Sequence, residues 1–208
     1  MKTSKKGAVT RLVVIAVLAA LVVVLQTVAS GIRFGPFTIT LSLVPIIVGG
    51  ALYGAGAGAL LGAVFGVVVL ASVLSGADFG GQMMLSFNPW ATVCLVLLKG
   101  IAAGFFSGLI CSAFRKSKPI LGVVLGSIAA PVCNTGIFTA AMFLFFKPIL
   151  EQWSAGAGSS STLSYVVTGL IGLNFLLEFV IGIVLAPVIV KILSAVKFLK
   201  IGAVDAKN

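Results

Sequence analysis

The chain has 208 residues, of which 60% are hydrophobic and 9% are charged, and its mean hydropathy is +1.27. A soluble domain of this length cannot bury so large an apolar fraction, so lipid must cover the remainder. The composition therefore excludes a soluble globular protein and predicts an all-α integral membrane protein embedded in the lipid bilayer.

The basic residues are concentrated in three clusters beside apolar runs. Fourteen Lys and Arg residues against four Asp and Glu residues give a net charge of +10, which in a soluble protein would suggest nucleic-acid binding. Next to apolar spans, however, such clusters mark cytoplasmic ends. We therefore predict no nucleic-acid partner and cytoplasmic N and C termini. The clusters comprise Lys2, Lys5, Lys6 and Arg11; Arg115, Lys116 and Lys118; and Lys191, Lys197, Lys200 and Lys207.

The apolar runs predict a single domain, 1–208, built as a compact bundle of six transmembrane helices. The run 38–77 carries no charge. As one helix it would extend about 60 Å, twice a ~30 Å hydrocarbon layer, so it holds two crossings. Their break is expected within 49–54, where glycines permit a tight turn. The approximate spans are 12–30, 38–52, 54–74, 89–114, 120–146 and 163–190.

Three longer connections, 31–37, 75–87 and 147–162, fall on the outer side of this topology. Over a compact bundle they could close a pocket that opens outward, as a lid does. They could also be ordinary connections, with Trp90 and Trp153 as anchors at the membrane interface. The sequence favours the anchor role for each tryptophan taken alone.

Two stripes of small residues lie on predicted helices. In lipid, such faces let helices approach closely, because packing joins them where hydrophobicity does not. We interpret the glycine stripe as internal packing; it is no phosphate loop, because no Gly-Lys-Ser/Thr follows it. The alanine pair lies on the first helix, where it could face another protein. The stripes are Gly54, Gly58, Gly62 and Gly66, and Ala16 with Ala20.

A few polar residues interrupt the apolar runs, and a charge at membrane depth needs a partner. Lys99 and Glu178 are the natural pair, and we predict a structural ion pair between the fourth and sixth spans. The remaining polar positions lie nearer the outer half, apart from Gln26 in the first span, and suit a ligand pocket better. They are Asn88, Asn134, Thr135 and Asn174.

The chain offers little for catalysis. It has no histidine, no serine with a base nearby and no cluster of carboxylates. The three cysteines lie in apolar runs without metal-ligand spacing. We therefore predict no enzymatic activity, no catalytic residue, no metal and no cofactor. Without a nucleotide motif, active transport would have to draw its energy from another protein.

Size, topology and the order of these motifs resemble the substrate-binding S components of energy-coupling factor (ECF) vitamin transporters, over nearly the whole chain. The similarity rests on the six short-looped spans, on Ala16 and Ala20, on the blocks 38–66 and 88–104, and on the spacing of Asn174 and Glu178.

The resemblance implies a protein of the prokaryotic plasma membrane that captures a vitamin from outside. It would dock through Ala16 and Ala20 on a transmembrane coupling (T) protein bound to two cytoplasmic ATPases, and ATP hydrolysis there would topple it in the bilayer. By resemblance, the ligand contacts would come from Arg33, Phe34, Asn88, Trp90, Asn134 and Asn174.

Several alternatives stay open at this point. Arg33 and Lys147 on the outer side favour an anionic vitamin such as pantothenate, folate or lipoate, but riboflavin is compatible with the aromatic loops. A stand-alone ion-coupled carrier could use Lys99 and Glu178 as a relay, although no inverted repeat is evident. A membrane assembly protein without a ligand is the third alternative.

Overall fold

The computed structural model describes residues 5–29, 33–34, 37–38 and 40–195. Helices account for nearly all of this part of the chain. Its elements, in chain order, are α1 Lys5–Ala29, β1 Arg33–Phe34, β2 Phe37–Thr38, α2 Leu43–Tyr53, α3 Ala55–Leu74, α4 Phe79–Phe87, α5 Pro89–Phe114, α6 Pro119–Phe145, α7 Lys147–Gly156, α8 Thr162–Tyr165, a π-helix at Val166–Gly172, and α9 Leu173–Ala195.

Five helices among the described residues are long and apolar enough to cross a membrane. They lie within α1, α3, α5, α6 and α9. The sixth, α2, has 11 residues and is therefore about 16 Å long, too short to cross a ~30 Å layer. The predicted all-α membrane bundle is confirmed, with one of its helices shorter than the span 38–52 that the sequence suggested.

The late start of α2 follows from the residues that precede it. Thr38 belongs to β2, where it pairs with Arg33 of β1, and β-branched residues such as those at 38–40 favour extended backbone. Once α2 begins, every residue from Leu43 to Ala51 is buried. A helix that is apolar and buried on all sides belongs in the middle of a bundle, and α2 contacts α1, α3, α5, α6 and α9.

The glycine stripe of α3 is an internal packing face, as predicted, and the helix it packs against is α5. A Cβ atom at Gly58 would overlap the carbonyl oxygen of Gly104, and one at Gly62 would overlap that of Gly100. The two backbones are therefore in direct contact, which any larger side chain would prevent. Gly54 has a different role: its φ of 86° makes the turn between α2 and α3, inside the predicted break.

One end of the bundle carries basic side chains. The Arg11 guanidinium lies 5.7 Å from the centre of the Tyr53 ring, and Arg115 Nη2 donates a hydrogen bond to the Ala51 carbonyl at 3.4 Å. These contacts join the start of α1, the end of α2 and the α5–α6 connection.

The opposite end is covered by two helices, α4 and α7, inside stretches that the sequence suggested only as connections. Trp153 of α7 is 9% exposed, and its Nε1 donates to the sulfur of Met83 on α4 at 3.4 Å. Trp153 therefore packs inside the protein, and its predicted role as an interfacial anchor is wrong. Trp90, at the start of α5, is 83% exposed and suits that role.

Candidate functional site

A cavity lies near the end of the bundle that α4 and α7 cover. The ends of α1 and α3, the start of α5 and the second half of α6 surround it. The centres of water-sized molecules can occupy about 60 Å³ of it, and the surrounding empty space, including the part open to the outside, is about 710 Å³. The lining residues are Gln26, Thr40, Phe65, Val69, Asp78, Gly81, Met84, Thr92, Val96, Lys99, Asn134, Thr135 and Phe138.

The cavity contains a lysine ammonium. Lys99 Nζ lies 5.3 Å from the ring centre of Phe138 and 5.7 Å from that of Phe65, so it makes two cation–π contacts. Within the part of the chain that the structure describes, this ammonium makes no hydrogen bond and no salt bridge. The carboxylates of Glu178 and Asp78 act on its charge from a greater distance. The donors of Lys99 are thus available to a ligand.

A buried amide and carboxylate stand beside this lysine. Asn134 and Glu178 are each 3% exposed. Asn134 Nδ2 donates to the two carboxylate oxygens of Glu178 at 3.5 Å and 3.4 Å. Asn134 Oδ1 is buried and has no hydrogen-bond partner among the described residues. Since buried polar atoms are nearly always paired in folded proteins, this unpaired oxygen indicates a place for a donor.

Further polar groups extend along the wall. The Ser42 hydroxyl donates to Gln26 Oε1 at 2.9 Å, which leaves the amide nitrogen of Gln26 for other partners. Thr92 Oγ1 donates to the Asn88 carbonyl at 2.9 Å and can still accept. With the apolar side chains opposite, the cavity combines aromatic walls with a few placed polar groups, as small-molecule sites do.

Comparison with known proteins identifies the family. A family model for the substrate-specific component of ECF transporters matches residues 10–190, most of the chain. The chain belongs to this family. It is also 25% identical over 202 residues to the pantothenic acid transporter PanT of Lactococcus lactis subsp. cremoris (strain MG1363), in an alignment that covers 91% of this chain and 96% of PanT. No solved structure matches it.

The family confirms the resemblance found in the sequence. This ECF substrate-specific component is a substrate-binding subunit of a transporter and not an enzyme. The transporter family and the membrane-length helices together make it a multi-pass protein of the prokaryotic cell membrane.

The structure brings part of the predicted site of this ECF component together. Asn134 and Thr135 line the cavity. Asn88 instead caps α5, where its Oδ1 accepts a hydrogen bond from the Ala91 amide at 3.1 Å, and the exposed Trp90 is not part of the cavity wall. The side chains of Arg33, Phe34 and Asn174 lie outside the part of the chain that the structure describes, so their ligand contacts stay predictions.

Other lining residues of this ECF component were not assigned to the site from the sequence. One pattern could have found some of them: Thr92, Val96 and Lys99 recur at the i, i+4, i+7 spacing of one helix face. Phe138 follows Asn134 by four residues on α6, and the remaining ones come from other parts of the chain that no local pattern joins to the site. They include Gln26, Thr40, Phe65, Asp78 and Met84.

Among the described residues the structure shows no salt bridge between Lys99 and Glu178, so the predicted ion pair is reduced to a longer-range electrostatic coupling, which stability measurements can test. Because Glu178 acts on the charge of Lys99, Lys99→Met should destabilise the ligand-free protein, and adding Glu178→Gln should restore part of the loss. We expect a coupling energy of about 0.5–3 kcal/mol from thermal melting in detergent.

The exposed pair Lys147–Glu151, 3.8 Å apart, provides a matched control. For Lys147→Met and Glu151→Gln, the coupling energy should be no more than about 0.5 kcal/mol. Strict additivity of the Lys99 and Glu178 variants would contradict an electrostatic coupling between the two side chains.

Proposed function

We propose that this chain is the substrate-capture subunit of an ECF-type importer, and that it binds pantothenate or a closely related acidic vitamin from the outer side. The observation that carries the proposal is the cavity with the ammonium of Lys99 and with the buried Oδ1 of Asn134, which is unpaired among the described residues. The choice of vitamin is supported by the similarity to a pantothenic acid transporter along nearly the whole chain.

The proposed orientation places the cavity toward the outside and the basic end in the cytoplasm. Arg11 and Arg115 lie at the end opposite the cavity, and basic residues favour the cytoplasmic ends of spans. A vitamin would then enter beside α4 and α7, which cover the outer end.

We further propose that α1 is the docking helix for the T protein, which is bound to two ATPases. Leu18, Val22 and Gln26 of α1 are buried in the bundle, whereas Ala16 and Ala20 are exposed on its other side. A face of small residues lets a partner helix approach closely within lipid. ATP hydrolysis in the partners would then topple this subunit and carry the cavity inward.

Native mass spectrometry of the protein, gently extracted from its own membrane, tests this proposal. We expect a complex with one membrane partner and two ATPases, together with the mass of pantothenate. Addition of excess pantothenate should increase the ligand-bound peak, and a neutral vitamin should not.

A bare monomer or homo-oligomer, reproducibly free of both partners and ligand, would overturn the proposal. It would favour an ion-coupled carrier, whose transport should stop when an uncoupler dissipates the proton gradient.

A further inference from the structure

We propose that Lys99 and Asn134 form a two-point recognition site, in which Lys99 binds a ligand carboxylate and Asn134 Oδ1 accepts a hydrogen bond from a ligand hydroxyl or amide. Glu178 is the positioning residue that orients Asn134. The inference rests on the proposed function, since it concerns how the same cavity selects its ligand.

The first point of recognition is the ammonium of Lys99. It has three N–H donors, and within the described chain none of them is used. The rings of Phe65 and Phe138 stabilise its charge through their faces but offer no hydrogen-bond acceptor for these donors. A charge held inside a membrane protein needs an ionic or hydrogen-bonding partner. A carboxylate supplies both, with charge-assisted hydrogen bonds.

The two protein carboxylates near Lys99 do not occupy the place where a ligand carboxylate would bind its ammonium. Asp78 caps α4, where its Oδ1 accepts a hydrogen bond from the Gly81 amide at 2.9 Å, and a helix N-terminus stabilises its charge. Glu178 is hydrogen-bonded to Asn134. Neither forms a salt bridge with Lys99 in the described structure. Both act on its charge from a distance while its donors remain free for the ligand.

The second point is the orientation of the Asn134 amide. An ionised carboxylate can only accept hydrogen bonds, so Glu178 attracts the NH₂ group of Asn134, and the amide oxygen must take the other position. That oxygen is Oδ1, which is buried and unpaired among the described residues. An unsatisfied buried acceptor is destabilising, and a ligand donor would remove this penalty.

The chemistry of the site therefore selects an acid that also carries a hydroxyl or amide N–H. Pantothenate has a carboxylate, two hydroxyls and an amide, and it fits both points. A neutral vitamin would leave Lys99 without its anion, and a simple fatty acid would leave Asn134 Oδ1 without its donor.

The role of Lys99 is tested by comparing pantothenate with pantothenol, in which a neutral CH₂OH replaces the carboxylate. Calorimetry on the purified full chain in detergent measures both dissociation constants. We expect the wild type to prefer pantothenate by about 10- to 100-fold. In Lys99→Met this preference should fall to about threefold or less, mostly through weaker pantothenate binding.

Several outcomes separate a failure of the two-point recognition site from a failure of the proposed function. Equal binding of both compounds by the wild type overturns the carboxylate site without any variant, and so does an unchanged preference in Lys99→Met. Lys99→Gln, which keeps a polar side chain but removes the charge, replaces Lys99→Met if that variant does not fold. If a different acidic vitamin binds, its neutral amide replaces pantothenol. Failure of the wild type to bind any vitamin would overturn the proposed function itself.

The positioning role of Glu178 has its own test. Glu178→Gln keeps the size of the side chain but can donate, so the Asn134 amide is no longer held in one orientation. We expect pantothenate to bind about 10-fold more weakly. Asn134→Leu should produce a similar loss, and the double variant should lose no more than Asn134→Leu alone.

Glu151→Gln, at an exposed carboxylate on α7, is the control and should leave binding unchanged. Additive losses in the double variant, or unchanged binding in Glu178→Gln, would show that Glu178 does not act through Asn134.

Discussion

Replacing Gly62 by valine is expected to abolish folding, because α3 and α5 could no longer meet. A Cβ atom at this position already overlaps the backbone of Gly100, and neither backbone can move without separating the two helices. The smaller change, Gly62→Ala, should destabilise the protein by about 1–3 kcal/mol, the range for inserting extra atoms into a packed core. Size-exclusion chromatography and thermal melting in detergent would measure both effects.

Two other glycines provide controls for helix propensity. Gly56 lies on α3, like Gly62, and Gly136 lies inside α6. Both glycines are exposed, and a Cβ atom at either position meets nothing within 4 Å. Gly56→Val and Gly136→Val should therefore yield folded protein. A melting temperature of Gly62→Val close to that of the wild type would mean that α3 and α5 do not pack as described.

The second large effect is expected from the double replacement Ala16→Leu with Ala20→Leu. It should abolish docking on the T protein and hence transport, because leucines would hold a partner helix away from the α1 backbone. Both positions face away from the bundle, so pantothenate binding in the cavity should be preserved. Co-purification of the ATPases would measure docking, uptake of labelled pantothenate would measure transport, and calorimetry would measure pantothenate binding.

The matched control places leucines at Ala71 and Ala140, which are exposed alanines on α3 and α6. This control should keep the partners and the transport activity. If the α1 variant also retains its partners, another surface serves for docking. If it loses pantothenate binding as well, the face contributes to the fold rather than to an interface.

Local sequence was sufficient to locate most of the long helices. The predicted spans 54–74, 89–114 and 120–146 differ by at most one residue at each end from Ala55–Leu74, Pro89–Phe114 and Pro119–Phe145. Proline is the first residue of α5 and of α6, Gly54 makes the turn before α3, and basic residues follow α5 and α6. The second span, 38–52, was predicted too long, because Thr38 pairs with Arg33 in a β-ladder and α2 begins only at Leu43.

Some residues of the candidate site could likewise be predicted from the sequence, and others could not. Asn134 and Thr135 could be found because polar residues stand out in an apolar run. Asn88 looked equally polar, but its side chain serves the local need of capping α5. A sequence does not distinguish these two uses, since both place an amide within or directly beside an apolar segment.

The amino-acid sequence alone was enough to establish membrane insertion, the glycine stripe of α3 and the family resemblance, since each depends on composition or on spacing along one helix. The glycines of α5 that meet this stripe, and the aromatic rings around Lys99, became apparent only in the folded chain. These contacts join residues that are far apart in sequence, and packing between helices brings them together.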